Sequence, residues 1–250
     1  MYLFLEMDLN FPQIKVISNE QNLGFTGSCN RGLATVDSKY AVLLNDDTRV
    51  TKDWLRPLVE CAEANSSVAA CQPKLLSAID PSHFDYGGGA GGYIDKLGYT
   101  FCRGRILNHR EKDIGQYDFQ RPLFWACGSA LFVRVKAARE VNFLDMGFYM
   151  HFEEIDFCWR LQSRGYHIWS VPESVVYHHS AYSLPSASFR KTFLNHRNNL
   201  IMNFKNRKAI ELYWLLPIRL LLELLASIGY LINKQWSSVM APIASLFWCM

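Results

Sequence analysis

The segment Phe152-Glu153-Glu154-Ile155-Asp156-Phe157-Cys158-Trp159-Arg160 gathers three carboxylates within four residues, between apolar neighbours. On a helix Glu153 and Asp156, spaced i,i+3, share a face while Glu154 points elsewhere. Like charges this close repel, so such a cluster is solvated, metal-bound or committed to proton transfer. An acidic first turn suited to the helix dipole, with Asp156 pairing Arg160 at i+4, accounts for the same residues without chemistry.

Two other groups carry chemical potential. Asn45-Asp46-Asp47 directly follows the apolar run Tyr40-Ala41-Val42-Leu43-Leu44. Ligands of open α/β sheets bind beyond the carboxyl ends of strands, and carboxylates there can hold Mg²⁺ or Mn²⁺. An Asx turn capping the next helix is the simpler reading of the same residues. His178-His179 follows the apolar Ser174–Tyr177 and suits a Mn²⁺ ligand, a general base or a surface strand end.

The elements that must position these groups read as an α/β layer. Short strands are expected at 15–18, 40–44, 68–72, 123–133, 167–172 and 174–177. Helices are expected at 29–34, 52–64, 153–164, ended by Gly165, and 189–208. Strand-helix alternation favours a mixed, mainly parallel sheet with flanking helices. The glycine run 87–92 lacks the spacing of a phosphate loop and reads as flexible or tightly turned. Residues 93–121 read as a long loop or flap.

Composition bounds the rest. The chain has 250 residues, 50% hydrophobic and 20% charged, enough for one large domain with an appendage. A net charge of +3 does not by itself imply a nucleic-acid partner. Seven scattered cysteines without a C-x-x-C suggest reduced intracellular thiols. No secretory signal is recognised at the start. Residues 212–232 are almost continuously apolar, but Arg219 and Glu223 interrupt them at i,i+4, and mid-membrane charge is costly. A helix lying at a membrane interface or packed on the domain is at least as good a reading as a span.

Four blocks in order resemble the family 2 glycosyltransferases of the GT-A fold. They are Asn22-Leu23-Gly24-Phe25 running on to Asn30-Arg31-Gly32, Leu43-Leu44-Asn45-Asp46-Asp47-Thr48, Trp125-Ala126-Cys127-Gly128-Ser129-Ala130, and Glu153-Glu154-Ile155-Asp156 with Arg160. Val176-Tyr177-His178 and Arg197-Asn198-Asn199 follow as in that family, and the likeness is greatest to rhamnosyltransferase-like members that build bacterial surface glycans. The resemblance covers residues 15 to 208 and implies a division into a glycosyltransferase domain, 1–208, and an apolar membrane-associating segment, 209–250.

What the resemblance implies is an inverting transfer from a UDP- or dTDP-linked sugar to a glycan or lipid-linked acceptor, with Mg²⁺ or Mn²⁺, at the inner face of the plasma membrane. Asp47 and His178 would ligate the metal. Asn22, Gly24, Asn30, Asn45 and Asp46 would face the donor, with Asn45 standing where the first Asp of the metal motif is usual. Glu154 would be the general base, and Glu153, Asp156 and Trp125 would line the acceptor side. The family's usual opening blocks are not recognised at Met1–Gln13, so the domain is expected to be incomplete at its N-terminus. Two alternatives remain open: a fold that has lost donor binding, and a metal-dependent hydrolase using Asp47, Glu154 and His178.

Overall fold

The computed structural model describes residues 13–179 and 188–249. A six-stranded mixed sheet forms the centre, in the order β1 (Tyr40–Leu44), β9 (Ala130–Arg134), β3 (Val68–Ser77), β10 (His167–His178) and β2 (Thr48–Val50), with β8 (Arg121–Leu123) also on β10. All ten residues of β3 are buried, as a strand covered on both faces requires.

One face carries α2 (Leu55–Ala64), whose Leu58 and Ala62 pack on Val68, Cys71, Phe132 and Val171. The other carries α4 (Glu153–Ser163), whose Ile155, Phe157, Cys158 and Leu161 join Leu131, Ile168, Val176 and Met202 in the main core. Helix α1 (Gly24–Ala34) precedes β1, and the short α3 (Val135–Glu140) follows β9. Helices α5 (Phe189–Asn206), α6 (Ala209–Ile232) and α7 (Ala241–Cys249) close the chain.

The mixed sheet is as expected, with a smaller parallel share. Among the described strands only β3 and β10 pair in parallel. The reason is β9, which runs back between β1 and β3. It also explains why residues 123–133 are not one strand. Leu123 sits opposite Ile168 of β10, whereas Val133 sits opposite Ala70 of β3, so the chain must cross in between. Conversely, 167–178 is one strand with a register shift between Val171 and Val175. Residues 15–18 form no strand; Arg31 holds them from the side through the Ser18 carbonyl at 2.8 Å.

The middle of the chain is packed, not a loose flap. β4 (Gly92–Ile94) pairs with β5 (Thr100–Cys102), and β6 (Arg105–Ile106) with β7 (His109–Arg110). The glycine run is tightly turned. The side-chain amide of buried Gln72 donates to the carbonyls of Gly88 and Gly89 at 3.1 and 3.2 Å. A Cβ on Gly92 would lie 1.9 Å from the Trp125 ring, so no other residue fits there without moving a buried indole. Gly92→Ala is expected to destabilise by about 3 kcal/mol or to misfold, as overpacking of a filled core does. Urea unfolding of the variant against wild type measures it.

Candidate active site

Strand direction decides which groups can meet. β9 is antiparallel to both β1 and β3, and β3 is parallel to β10, so β1, β3 and β10 all run the same way. Their carboxyl ends therefore lie at one edge of the sheet. That edge carries Asn45-Asp46-Asp47 after β1, Asp85 after β3, and His178 as the last residue of β10.

Asp47 and His178 are brought together, with Asp47 Oδ1 3.2 Å from His178 Nε2. The other ring nitrogen, Nδ1, lies 3.0 Å from Oδ2 of Asp85, which is only 1% exposed. Burial alone would lower the His178 pKa, but the Asp85 hydrogen bond and the charges of Asp85 and Asp47 outweigh it and raise it. An open cleft of about 460 Å³ adjoins, lined by Asp47, Thr48, Arg49, Ala78 and His179.

The donor set fits a hard divalent ion. Asp47 Oδ1 is buried and faces the His178 imidazole Nε2 at 3.2 Å, a carboxylate oxygen and a ring nitrogen side by side. An imidazole tied to a carboxylate through its second nitrogen has its tautomer and orientation fixed for metal ligation. Among the described residues no three acidic, histidine or cysteine side chains gather as a cage. Asp47 and His178 would thus be two ligands of a site completed from outside the protein, which is how Mg²⁺ and Mn²⁺ are commonly held beside phosphates.

The acidic helix lies across a single turn from this pair. The backbone N–H of Asn45 donates to the Ser129 carbonyl at 3.0 Å. Next to it, Gly128 packs on Glu154, with an added Cβ lying 3.7 Å from that of Glu154. Burial raises the Glu154 pKa to about 7, and the N–H groups of Glu154, Ile155 and Gly128 pull it partly back. Glu153 is pushed well above the usual carboxylate range by burial and then by the charge of Glu154. Oε2 of each is buried and takes no hydrogen bond.

A strained strap delivers these two carboxylates. Tyr149, His151 and Phe152 all have positive φ, at 64°, 68° and 70°. Asn198, fully buried on α5, donates its amide to the carbonyls of Phe148, Met150 and His151 at 3.0, 2.8 and 2.7 Å. Arg197 adds contacts at 3.1 Å to the carbonyls of Gly147 and Phe148.

Several residues expected to touch substrate also have structural partners. Asn22 accepts from the Gly24 N–H at 2.9 Å, at the start of α1. Gly24, at φ 69°, is required because a Cβ would lie 2.5 Å from the Tyr149 carbonyl oxygen. Asn30 exchanges two hydrogen bonds with the Leu144 backbone, at 2.7 and 3.0 Å. These three build the wall between α1 and the strap. The Asn45 carbonyl accepts from Thr48 at 2.6 Å, and Asp46 is exposed.

Asp156 is fully buried and bonded to Arg160 at 2.7 Å, Lys205 at 3.1 Å and Asn206 at 2.8 Å, so it anchors helices. Trp125 is a core residue, 7% exposed, with its indole N–H on the Tyr93 carbonyl at 3.0 Å. The residue missed in the sequence is Asp85. Its signal was an Asp two residues before a glycine, the Asx turn that now donates Gly87 N–H to its carboxylate at 2.8 Å.

The family model described as "Glycosyl transferase family 2" matches residues 4–141. An N-acetylglucosaminyl-diphospho-decaprenol L-rhamnosyltransferase of Mycobacterium tuberculosis is 22% identical over 228 residues, 84% of this chain and 72% of its own. A Drosophila melanogaster relative named as a polypeptide N-acetylgalactosaminyltransferase is 27% identical over 112 residues, 43% of this chain. The chain spans only 19% of that relative's length. Among solved structures, GalNAc-T7 with UDP, GalNAc and Mn²⁺ superposes with a TM-score of 0.60 at 16% identity, over 81% of this chain and 38% of that one. The mannosyltransferase PcManGT from Pyrobaculum calidifontis, with GDP-Man and Mn²⁺, gives 0.54 at 10% identity over 98% of this chain and 60% of that one. Both show that the GT-A architecture is shared.

Two outcomes follow from the acidic helix. Asn198→Ala should cost about 2–3 kcal/mol, for a buried amide that satisfies several carbonyls; thermal unfolding measures it. Glu154 binds a proton more tightly folded than unfolded, so its contribution is intact below about pH 4.5 and is lost as pH rises through about 7. Glu154→Gln removes that loss. Relative to wild type the variant should gain on the order of 2 kcal/mol between pH 5 and pH 8. Urea titrations at the two pH values report the difference.

Proposed function

The chain belongs to glycosyl transferase family 2, and we propose that it moves a sugar from a nucleotide-linked donor to a hydroxyl of a glycan or lipid-linked acceptor, with inversion. The observation that carries the reading is the Glu154 carboxyl. It is half-buried at a helix start, has one oxygen without a partner and is raised to a pKa of about 7. A general base works best when its pKa lies near the working pH.

In this reading Glu154 takes the proton from the acceptor hydroxyl as that oxygen attacks the anomeric carbon. The nucleotide diphosphate leaves from the opposite face with the bonding electron pair, and one displacement inverts the configuration. Glu153, whose pKa burial and then the charge of Glu154 raise well above the usual carboxylate range, favours its protonated form and would orient an acceptor oxygen. Asp46, exposed beside Asp47, would meet the donor's ribose or sugar. Asp47 and His178 would hold Mg²⁺ or Mn²⁺, which when bound neutralises the leaving diphosphate.

Relatives narrow the substrates. The mycobacterial relative's name points to a polyprenyl-diphosphate-linked sugar as acceptor class and a rhamnosyl donor, consistent with UDP or dTDP as carrier. The long apolar α6 supports a reaction at a membrane surface. Seven unpaired cysteines favour its cytoplasmic face.

Glu154→Gln tests the reading. Nucleotide release from dTDP-rhamnose or UDP-linked sugars, with a polyprenyl-diphosphate-linked N-acetylglucosamine acceptor, should fall about 10²–10⁴-fold with KM for donor little changed. The wild-type rate should rise with pH through about 7, because the base works deprotonated. An active variant with an unchanged pH profile would remove Glu154 from the chemistry.

A further inference from the structure

The polarity of α6 is inverted relative to a helix covering a core. Its buried positions are Leu215, Arg219, Glu223 and Ser227, a stripe at i,i+4 spacing that is mostly polar. Its outer face is apolar, with Ile210, Leu221, Leu225 and Ile228 between 49% and 73% exposed. Between Glu211 and Lys234 the only charged residues are the buried Arg219 and Glu223. A face of this kind matches a hydrocarbon boundary, and Lys208 and Lys234, one at each end of the helix, match anionic headgroups.

The inward stripe is attached to α5 and, through Arg219, to the Leu97 carbonyl at 3.1 Å and the Tyr99 ring at 4.1 Å. Glu223 accepts from Arg219 at 2.7 Å and pairs with Nδ1 of His196, whose Nε2 lies 3.2 Å from the Tyr230 hydroxyl. Trp248 of α7 covers the Arg197 guanidinium at 4.7 Å, and Ser238 lies 2.9 Å from Thr192 across a buried contact. The apolar segment therefore grips α5 at positions 192, 196 and 197. The same helix holds the carboxylate strap through Arg197 and Asn198, and Asp156 through Lys205 and Asn206. Arg197 belongs to both sets.

We propose that a lipid surface is the occupant of the exposed α6–α7 face, and that seating it there tightens α5 on the strap bearing Glu153 and Glu154, so that the carboxylates are fully ordered only on the membrane. His196 and Trp248 are positioning residues in this device. The proposal rests on the reading of those two glutamates as the acceptor-side groups, and it adds a condition under which they are in place. Differential contact is what a coupling requires, and α5 supplies it, because ordering one face of a helix lowers the entropy left to lose on the other.

Hydrogen exchange on the full chain tests it, with and without vesicles of mixed phosphatidylcholine and phosphatidylglycerol. Vesicle binding should slow exchange of the amides at 147–156 by about tenfold in wild type. His196→Gln leaves the outer apolar face intact and should still sediment with vesicles but lose that slowing. Trp248→Leu keeps an apolar side chain where the indole is 57% exposed while removing its contact with Arg197, and should behave in the same way; should His196→Gln not fold, Trp248→Leu carries the comparison alone. Failure of wild type to bind vesicles, no slowing when bound, or equal slowing in the variants would each overturn the proposal. None of these readouts involves nucleotide or sugar, so they are independent of whether transfer occurs.

Discussion

The side-chain amide of Asn198 holds the backbone at the point where it is least at ease. Three residues of the strap, Tyr149, His151 and Phe152, lie in the left-handed region without being glycine. Each costs on the order of 1 kcal/mol, which the surroundings must offset. One buried amide reaching the carbonyls of Phe148, Met150 and His151 does so. The consequence is geometric. Phe152, in the left-handed conformation, is the cap of α4, so the helix begins abruptly at Glu153. The two carboxylates then stand in a first turn, beside backbone N–H groups that have no partner within the helix.

The Asp47–His178 pair depends on a second arrangement of the same type. Gln72, buried in β3, donates to the glycine turn and accepts from the Cys127 N–H at 2.8 Å. It thereby fixes the Asp85 turn on one side and the Cys127–Ser129 turn on the other. Ser129 receives the Asn45 N–H, and Gly128 abuts Glu154. The Asp47–His178 pair and the acidic helix are thus tied to one short turn, and a shift in either is felt by both. A protein interior is packed too closely to absorb such a shift by small deformations.

Much of this was legible in the residues themselves. The strand at 40–44, the acidic helix from 153 and the Asp156–Arg160 pair follow from local periodicity and i,i+4 reach, and the structure has them. The family membership was legible from ordered motifs, and with it the mixed α/β layer. What was not legible depended on distant partners. Asp85 meets His178 across 93 residues, and nothing near either residue announces the other. Asn22, Gly24 and Asn30 have the types expected of donor contacts; what the sequence did not show is that Asn22 accepts from the Gly24 N–H while Gly24 and Asn30 pack on the 144–149 backbone. Arg219 and Glu223 read as interruptions of a span because hydropathy counts residues without asking which way they face; turned inward, they are the attachment.

The central claim is that Asp47 and His178 form a cation-dependent seat for the donor diphosphate, within one turn of the base. Isothermal titration of dTDP and UDP into wild type and Asp47→Ala, each with and without Mn²⁺, tests it most directly. The account predicts binding of at least one nucleotide that requires Mn²⁺ in wild type and is lost in a folded Asp47→Ala. Binding of equal strength with and without the ion, or binding that survives in Asp47→Ala, would contradict it.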